Sequence, residues 1–272
     1  MPELPEVETT LRGIEPHINT QVVSKINIYN ASLRWPVDTS LPDILKNQKL
    51  LQLLRRGKYL ILVFKKGSLL LHLGMSGSLR VLKPGEILQK HDHFEMIFKN
   101  GKVLRLRDPR RFGSVLWTTQ PWENHKLIQK LGPEPLSENF GDDYLFQHSR
   151  KKKLAVKSYI MNNHIVVGVG NIYASESLFV AGINPNKAAG KVSKKAYAAL
   201  TRAIKLILDN AIKQGGTTLK DFSSPDGTPG YFAQQLNVYG KKAAPCPCCE
   251  KPITQKTINQ RATYYCTQCQ RS

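Results

Sequence analysis

The sequence predicts an α+β protein in several parts: an antiparallel β-sandwich or barrel carrying a terminal helix, then a helical region, then a small cysteine-rich hairpin. Three observations predict it. Short apolar runs with turn signals between them fill residues 22–117, helical apolar spacing takes over beyond about residue 135, and all five cysteines lie between Cys246 and Cys269. A chain of 272 residues suits two domains with a small appendix.

The elements follow in order. Pro5 with Glu3 and Glu6 around it is a helix start, and Val7, Leu11 and Ile14 at i, i+4 and i+7 form its buried stripe. Tyr59 to Phe64 and Leu69 to Leu73 are strand-sized apolar runs parted by Lys65-Lys66-Gly67-Ser68. Phe94, Met96 and Phe98 alternate with polar neighbours, and Asn100-Gly101 signals a two-residue hairpin into Val103 to Leu106. No helical crossover intervenes, so the sheet is antiparallel. Gly132, Pro133 and Pro135 mark an interdomain hinge. Lys151 to Met161 reads as a basic helix, and Tyr197, Leu200, Ile204, Ile207 and Leu208 as the buried stripe of another. The run from Ser223 to Gly230 is a loop, either a ligand-covering lid or an exposed linker.

Forty basic against twenty acidic side chains give a net charge of +20, which points to a polyanionic partner. Residues 150–272 hold 19 basic and 5 acidic side chains, +14, leaving +6 for the rest, so the second half is the expected electrostatic anchor. No apolar run approaches the 18 or so residues of a membrane span. The acidic start is unlike a secretory signal, and a cytoplasmic protein is expected.

Cys246-Pro247-Cys248-Cys249 and Cys266-Thr267-Gln268-Cys269, with 16 residues between them, have the spacing of a four-cysteine zinc site on a hairpin. Cys246, Cys249, Cys266 and Cys269 keep two intervening residues in each pair and are the expected ligands of one structural Zn2+. Cys248 is then spare, and disulfides are the competing use. Gly168-Val169-Gly170-Asn171 lacks the third glycine and the βαβ context of a nucleotide fingerprint, so no nucleotide cofactor is expected. It reads instead as a turn between two helices with Asn171 capping the second. The start of the chain holds the other chemical possibility. With Met1 removed, Pro2 presents a secondary amine beside two carboxylates. An α-amino group is neutral roughly a tenth of the time at pH 7, against about 0.04% for lysine, and can form a Schiff base. Met75 and Phe112, in Leu71 to Gly77 and Asp108 to Gly113, read either as core packing or as apolar wedges entering a duplex beside Arg110. Lys58 reads as a turn lysine or a phosphate contact, and Arg261 as a surface arginine or a phosphate contact at a hairpin tip.

Taken together, PELPEVE at 2–8, RRGKYL at 55–60, HLGMSG at 72–77, KHDH at 90–93, DPRRFG at 108–113, VGVGNIYASE at 167–176, GGTTLKDF at 215–222 and the terminal cysteine hairpin resemble the formamidopyrimidine-DNA glycosylases over essentially the whole chain. The resemblance implies an N-terminal catalytic β-sandwich over residues 1–130, a helix-two-turn-helix domain with a lesion loop over 131–235, and a zinc finger over 236–272. It implies a monomer acting on damaged double-stranded DNA held in a cleft between the domains, with the damaged purine flipped out. In it Pro2 attacks C1′, Glu3 is the general acid, Lys58 and Arg261 belong to the catalytic set, and Glu6 supports them. His72, His91, Lys157, Asn171 and Tyr239 are expected DNA contacts. Met75, Arg110 and Phe112 fill the space left by the flipped base, while Lys220 and the loop from Ser224 to Tyr231 meet the extruded purine. The implied chemistry is base removal followed by β- and δ-elimination. Leu4, Met75 and Phe112 favour this oxidised-purine branch over the sister endonuclease VIII, and a non-catalytic zinc-finger binder is the rival from another class. Glu250, where the family's finger carries glycine, is a departure, as is the extra Cys248.

Overall fold

The computed structural model describes residues 2–217 and 235–271. Lys220, the loop from Ser224 to Tyr231 and Met1 lie outside the described residues. The chain divides into two compact units; among the described residues one holds 2–130 with 214–217, the other 131–213 with 235–271.

The first unit opens with α1 (Leu4–Ile18), which has Glu3 at its N-cap and Pro5 in its first turn. Val7, Leu11, Ile14 and Ile18 are buried on one face, as the spacing predicts. That face joins the core formed by two four-stranded antiparallel sheets. One sheet has the order β1 (Val23–Ile28), β6 (Asp92–Phe98), β7 (Val103–Arg107), β5 (Ser78–Leu82). The other has the order β2 (Gln52–Arg56), β3 (Tyr59–Phe64), β4 (Gly67–His72), β8 (Ser114–Thr118). A short α2 (Leu41–Leu45) packs on β1. The expected sandwich is therefore present.

Two local expectations change. The β6–β7 connection is one residue longer than a two-residue turn: Gly101 N–H bonds Phe98 O at 3.0 Å, and only Gly101 of the pair has positive φ. A two-residue type I′ turn needs positive φ at both central positions, so the glycine serves a three-residue loop ending in a left-handed residue. The polar residues of β6 are not on a wet face either. Glu95 and Asp92 are 4% and 6% exposed because Arg105 of the neighbouring strand pairs with both. Arg105 also donates to the carbonyls of Glu86 and Ile87, at 2.8 and 3.0 Å. Its fork thereby satisfies groups from two segments, β6 and the loop before it.

The second unit contains α3 (Tyr144–Ser149), α4 (Val156–Ile160), α5 (Asn171–Val180), α6 (Lys194–Lys213) and the hairpin β9 (Thr254–Ile258)–β10 (Arg261–Tyr265). The Tyr197–Leu208 stripe is buried on α6. The basic helix expected over 151–161 shrinks to Val156–Ile160. Lys151 is left-handed at φ 63°, and the 152–156 backbone bonds residues 187–190 instead, with Gly190 N–H on Lys152 O and Ala189 N–H on Leu154 O at 2.9 Å each. Side-by-side backbone pairing consumes the groups that a helix would need. Among the described residues no helix is long and apolar enough to cross a membrane.

Candidate active site and nucleic-acid interface

In the first unit, Pro2, Glu3 and Glu6 are all buried at the start of α1. Glu6 occupies the third helical position and reaches back, its Oε2 accepting the Glu3 N–H at 2.8 Å. Its other oxygen, Oε1, accepts both the N–H and the Oγ1–H of Thr217 at 2.9 Å. Gly216, at φ 78°, leaves room there: a Cβ on it would stand 3.0 Å from Glu6 Oε1. Glu6 thus ties Glu3, and with it the backbone next to Pro2, to a segment more than 200 positions away. Thr217 was missed by sequence reasoning, though it sits inside the GGTTLKDF motif.

Lys58 follows Gly57, whose φ of 57° lets β2 turn straight into β3, and its side chain is half-buried. His72 ends β4 against Tyr59, with ring centroids 4.7 Å apart. Burial, reinforced by the charges of Lys58 and Arg34, lowers His72 to about 4. Its Nδ1 accepts the Gly74 N–H at 2.9 Å, so the neutral ring carries its proton on Nε2 and offers it as a donor.

The loops after β4 and β7 meet. Gly74, at φ 63°, lies so close to Phe112 that a Cβ would stand 2.4 Å from its carbonyl carbon. Phe112 is 42% exposed and Met75 half-buried, so neither is a core residue, which was one of the two readings from sequence. The Arg110 guanidinium sits over the Phe112 ring at 5.0 Å. His91, at φ 77°, precedes β6, and its carbonyl accepts the Asp108 N–H at 3.0 Å.

In the second unit Gly170, not Asn171, is the N-cap of α5. Asn171 is the first helical residue, and its Nδ2 donates to Ala262 O at 3.0 Å and contacts Tyr239 Oη at 3.4 Å. The capping expectation fails because glycine already takes the extended cap conformation, freeing the amide to face the finger. Tyr239 is held by Glu176, which sequence reasoning missed. This 1% exposed carboxylate accepts the N–H groups of Asn237, Val238 and Tyr239 at 2.7, 2.9 and 2.8 Å. Lys157, expected at a DNA contact, is 1% exposed and directs Nζ to Ala262 O (3.2 Å) and Thr263 Oγ1 (2.8 Å). Its ammonium is desolvated under the hairpin and braces β10 from inside. Arg261 is exposed at the head of β10, after the left-handed pair Asn259 and Gln260.

The Sγ atoms of Cys246, Cys249, Cys266 and Cys269 lie within 4.8 Å of one another. The separations Cys246–Cys269 and Cys249–Cys266 are 3.8 and 3.4 Å. A disulfide needs about 2.05 Å. Tetrahedral zinc with Zn–S near 2.3 Å puts its sulfurs about 3.8 Å apart, so the donor set and spacing fit that metal. Burial opposes ionisation of Cys266, but hydrogen bonds from the Cys269 N–H and neighbouring thiols prevail and lower it to about 7. Cys248 is exposed and outside the cluster.

A sandwich with a buried amino-terminal carboxylate pair, a helical domain and a four-sulfur finger defines a two-domain DNA-glycosylase architecture. Residues 1–115 match the formamidopyrimidine-DNA glycosylase N-terminal domain and residues 131–223 the H2TH domain of the same enzymes. The formamidopyrimidine-DNA glycosylase of Hydrogenovibrio crunogenus is 54% identical, covering 100% of this chain and 97% of its own; that of Teredinibacter turnerae is also 54% identical, covering 99% and 100%. A Lactococcus lactis Fpg (MutM) solved with N7-benzyl-Fapy-dG DNA has a TM-score of 0.92 at 33% identity, covering both chains fully. MutM from Thermus thermophilus gives 0.87 at 32%, covering 99% of this chain and 98% of its own. The chain belongs to the formamidopyrimidine-DNA glycosylase family.

Proposed function

We propose that this chain removes oxidised purines, 8-oxoguanine and formamidopyrimidines, from duplex DNA and then cuts the strand at the vacated sugar. The observation that carries the proposal is the buried Pro2-Glu3-Glu6 start of α1, with Glu6 locked to Thr217. Support for the substrate class comes from solved relatives at 33% identity named as complexes with Fapy-dG DNA and with carbocyclic 8-oxo-G DNA.

Once Met1 is removed, the Pro2 nitrogen attacks C1′ as the bond to the base breaks and the base departs with that electron pair. The ammonium so formed loses its proton; Glu3 then protonates the ring oxygen, and the nitrogen lone pair expels it as a hydroxyl, opening the sugar and leaving an iminium at C1′. The iminium acidifies C2′; loss of that proton expels the 3′ phosphate, and a second elimination expels the 5′ phosphate, with Lys58 and Arg261 serving the catalytic set. His72 donates to phosphate from Nε2 as a neutral group, while His91, Asn171 and Tyr239 supply further DNA contacts. Met75, Arg110 and Phe112, all at least partly exposed, enter the space of the flipped base. The four cysteines would hold zinc, which when bound cross-links the hairpin that presents Arg261.

Borohydride trapping on an 8-oxoguanine:cytosine duplex, with intact mass to establish that Met1 is gone, tests the mechanism. A covalent adduct is expected with the Met-free protein and a much slower one with Pro2→Gly; no adduct from the Met-free wild type sinks it in favour of a binder. Faster cleavage of thymine glycol than of 8-oxoguanine would move the chain to the pyrimidine branch.

A further inference from the structure

Asp108 has a combination that the mechanism above does not use. It is 0% exposed, and among the described residues it pairs with no basic side chain. Burying an unpaired carboxylate is costly, and it persists where its hydrogen bonds hold something that matters. Here the carboxylate bridges two loops, Oδ1 reaching both and Oδ2 one. Oδ1 accepts the Ser76 hydroxyl at 2.8 Å and the Arg110 N–H at 3.3 Å; Oδ2 accepts the Gly113 N–H at 2.7 Å. Ser76 Oγ in turn accepts the Arg110 N–H at 3.2 Å. The Asp108 carbonyl takes the His93 Nε2–H at 2.9 Å, fixing the same residue to β6. Ser76 is the neighbour of Met75, while Arg110 and Gly113 bracket Phe112.

We propose that Asp108 is the positioning residue that sets the side chains of Met75, Arg110 and Phe112 relative to one another, so that they enter the duplex as one preformed wedge. The proposal rests on the wedge role given to those three residues above. Gly74 and Gly113 are part of the device: a Cβ at Gly113 would stand 2.9 Å from Asp108 Oδ2, and one at Gly74 would strike the Phe112 backbone. The carboxylate itself stays buried and touches no DNA. Asparagine in its place would turn one acceptor into an N–H2 group facing a donor, splaying the loops while preserving size.

A double-mutant cycle on the full-length zinc-loaded protein tests this, with kcat/KM for 8-oxoguanine excision from duplex DNA as the readout. Asp108→Asn is expected to lower it by about ten- to a hundredfold in the wild-type background, the scale of a misplaced binding element. In the Met75→Ala/Phe112→Ala background the same change is expected to cost several-fold less, because two of the three side chains it positions are gone. Ser76→Ala, which removes one bond to the same carboxylate, carries the identical cycle should Asp108→Asn fail to fold. An equal loss in both backgrounds overturns the proposal, since Asp108 would then be supporting the sandwich generally. Full activity of the Met75→Ala/Phe112→Ala variant itself overturns the wedge role, and that outcome is read from a separate arm.

Discussion

Lowering the pH tests His72 directly. An ordinary imidazole titrates at 6.5, whereas burial beside Lys58 and Arg34 holds His72 at about 4. Between those values the unfolded chain binds a proton that the folded chain refuses, so this residue makes stability rise with pH across the window from 4 to 6.5. Read downward, its share of stability is intact near pH 7 and is lost as the pH falls through 6.5 toward 4. The full loss is about 3 kcal/mol, and the part expected between pH 7 and pH 5 is about 2 kcal/mol. The measurement is a difference: urea unfolding of wild type and of His72→Gln at pH 7 and pH 5. Glutamine can still accept the Gly74 N–H but cannot ionise. The wild type should lose about 2 kcal/mol more than the variant over that interval. A His72 carbon or nitrogen resonance titrating near 6.5, or no difference between the two proteins, would refute the neutral donor. The salt dependence of DNA binding gives an independent reading. A cationic contact removed by His72→Gln would flatten the log–log slope by about 0.9, while a neutral donor leaves it unchanged.

Glu6→Gln leaves either Glu3 N–H or the Thr217 pair facing an amide donor; a stability loss of about 1–3 kcal/mol and a lower rate of borohydride trapping are expected, and unchanged trapping would remove Glu6 from the site. Glu250 sits at φ 63° where a glycine would be unstrained. Glu250→Gly should therefore stabilise the finger by about 1 kcal/mol, read as a higher zinc affinity in competition with a chelator. Stripping the metal should unfold the β9–β10 hairpin region and weaken DNA binding while the N-terminal sandwich keeps its protease resistance; retention of full DNA affinity without zinc would contradict a structural role.

The elements legible in the sequence are those whose signal is local. The Val7, Leu11, Ile14 spacing, the strand runs around Leu60 and Leu70, and the paired cysteine knuckles each state their role within two dozen residues, and the structure contains all of them. What escaped is set by partners far along the chain. Lys151 to Ala155 look helical until residues 187–190 take their backbone groups, and Asn171 looks like a cap until Gly170 takes that place. Glu95 looks solvated until Arg105 comes alongside. Lys157 looks like one more cation for a phosphate until Thr263 and Ala262 close over its ammonium.

Three buried carboxylates, two of them unassigned from sequence, direct their oxygens largely to backbone N–H groups. Glu176 holds residues 237–239, Asp108 holds the 110–113 loop, and Glu6 holds Glu3 and Thr217. In a chain of net charge +20 that must accept a polyanion, an exposed carboxylate facing the ligand would repel it, whereas a buried one held by N–H donors is withdrawn from that surface. A carboxylate is also the strongest available acceptor for several N–H groups at once, so one residue can fix a loop that contributes few apolar contacts of its own. The basic and apolar groups proposed to meet DNA are mounted on such loops, at Arg110, Phe112 and Tyr239. The division of labour follows from electrostatics: cations and aromatic rings outward, anions inward as anchors. It also gives an order to the cost of substitution. Charge-neutral replacement of an anchor should act on several contact residues together, whereas replacement of one contact residue should act on that contact alone.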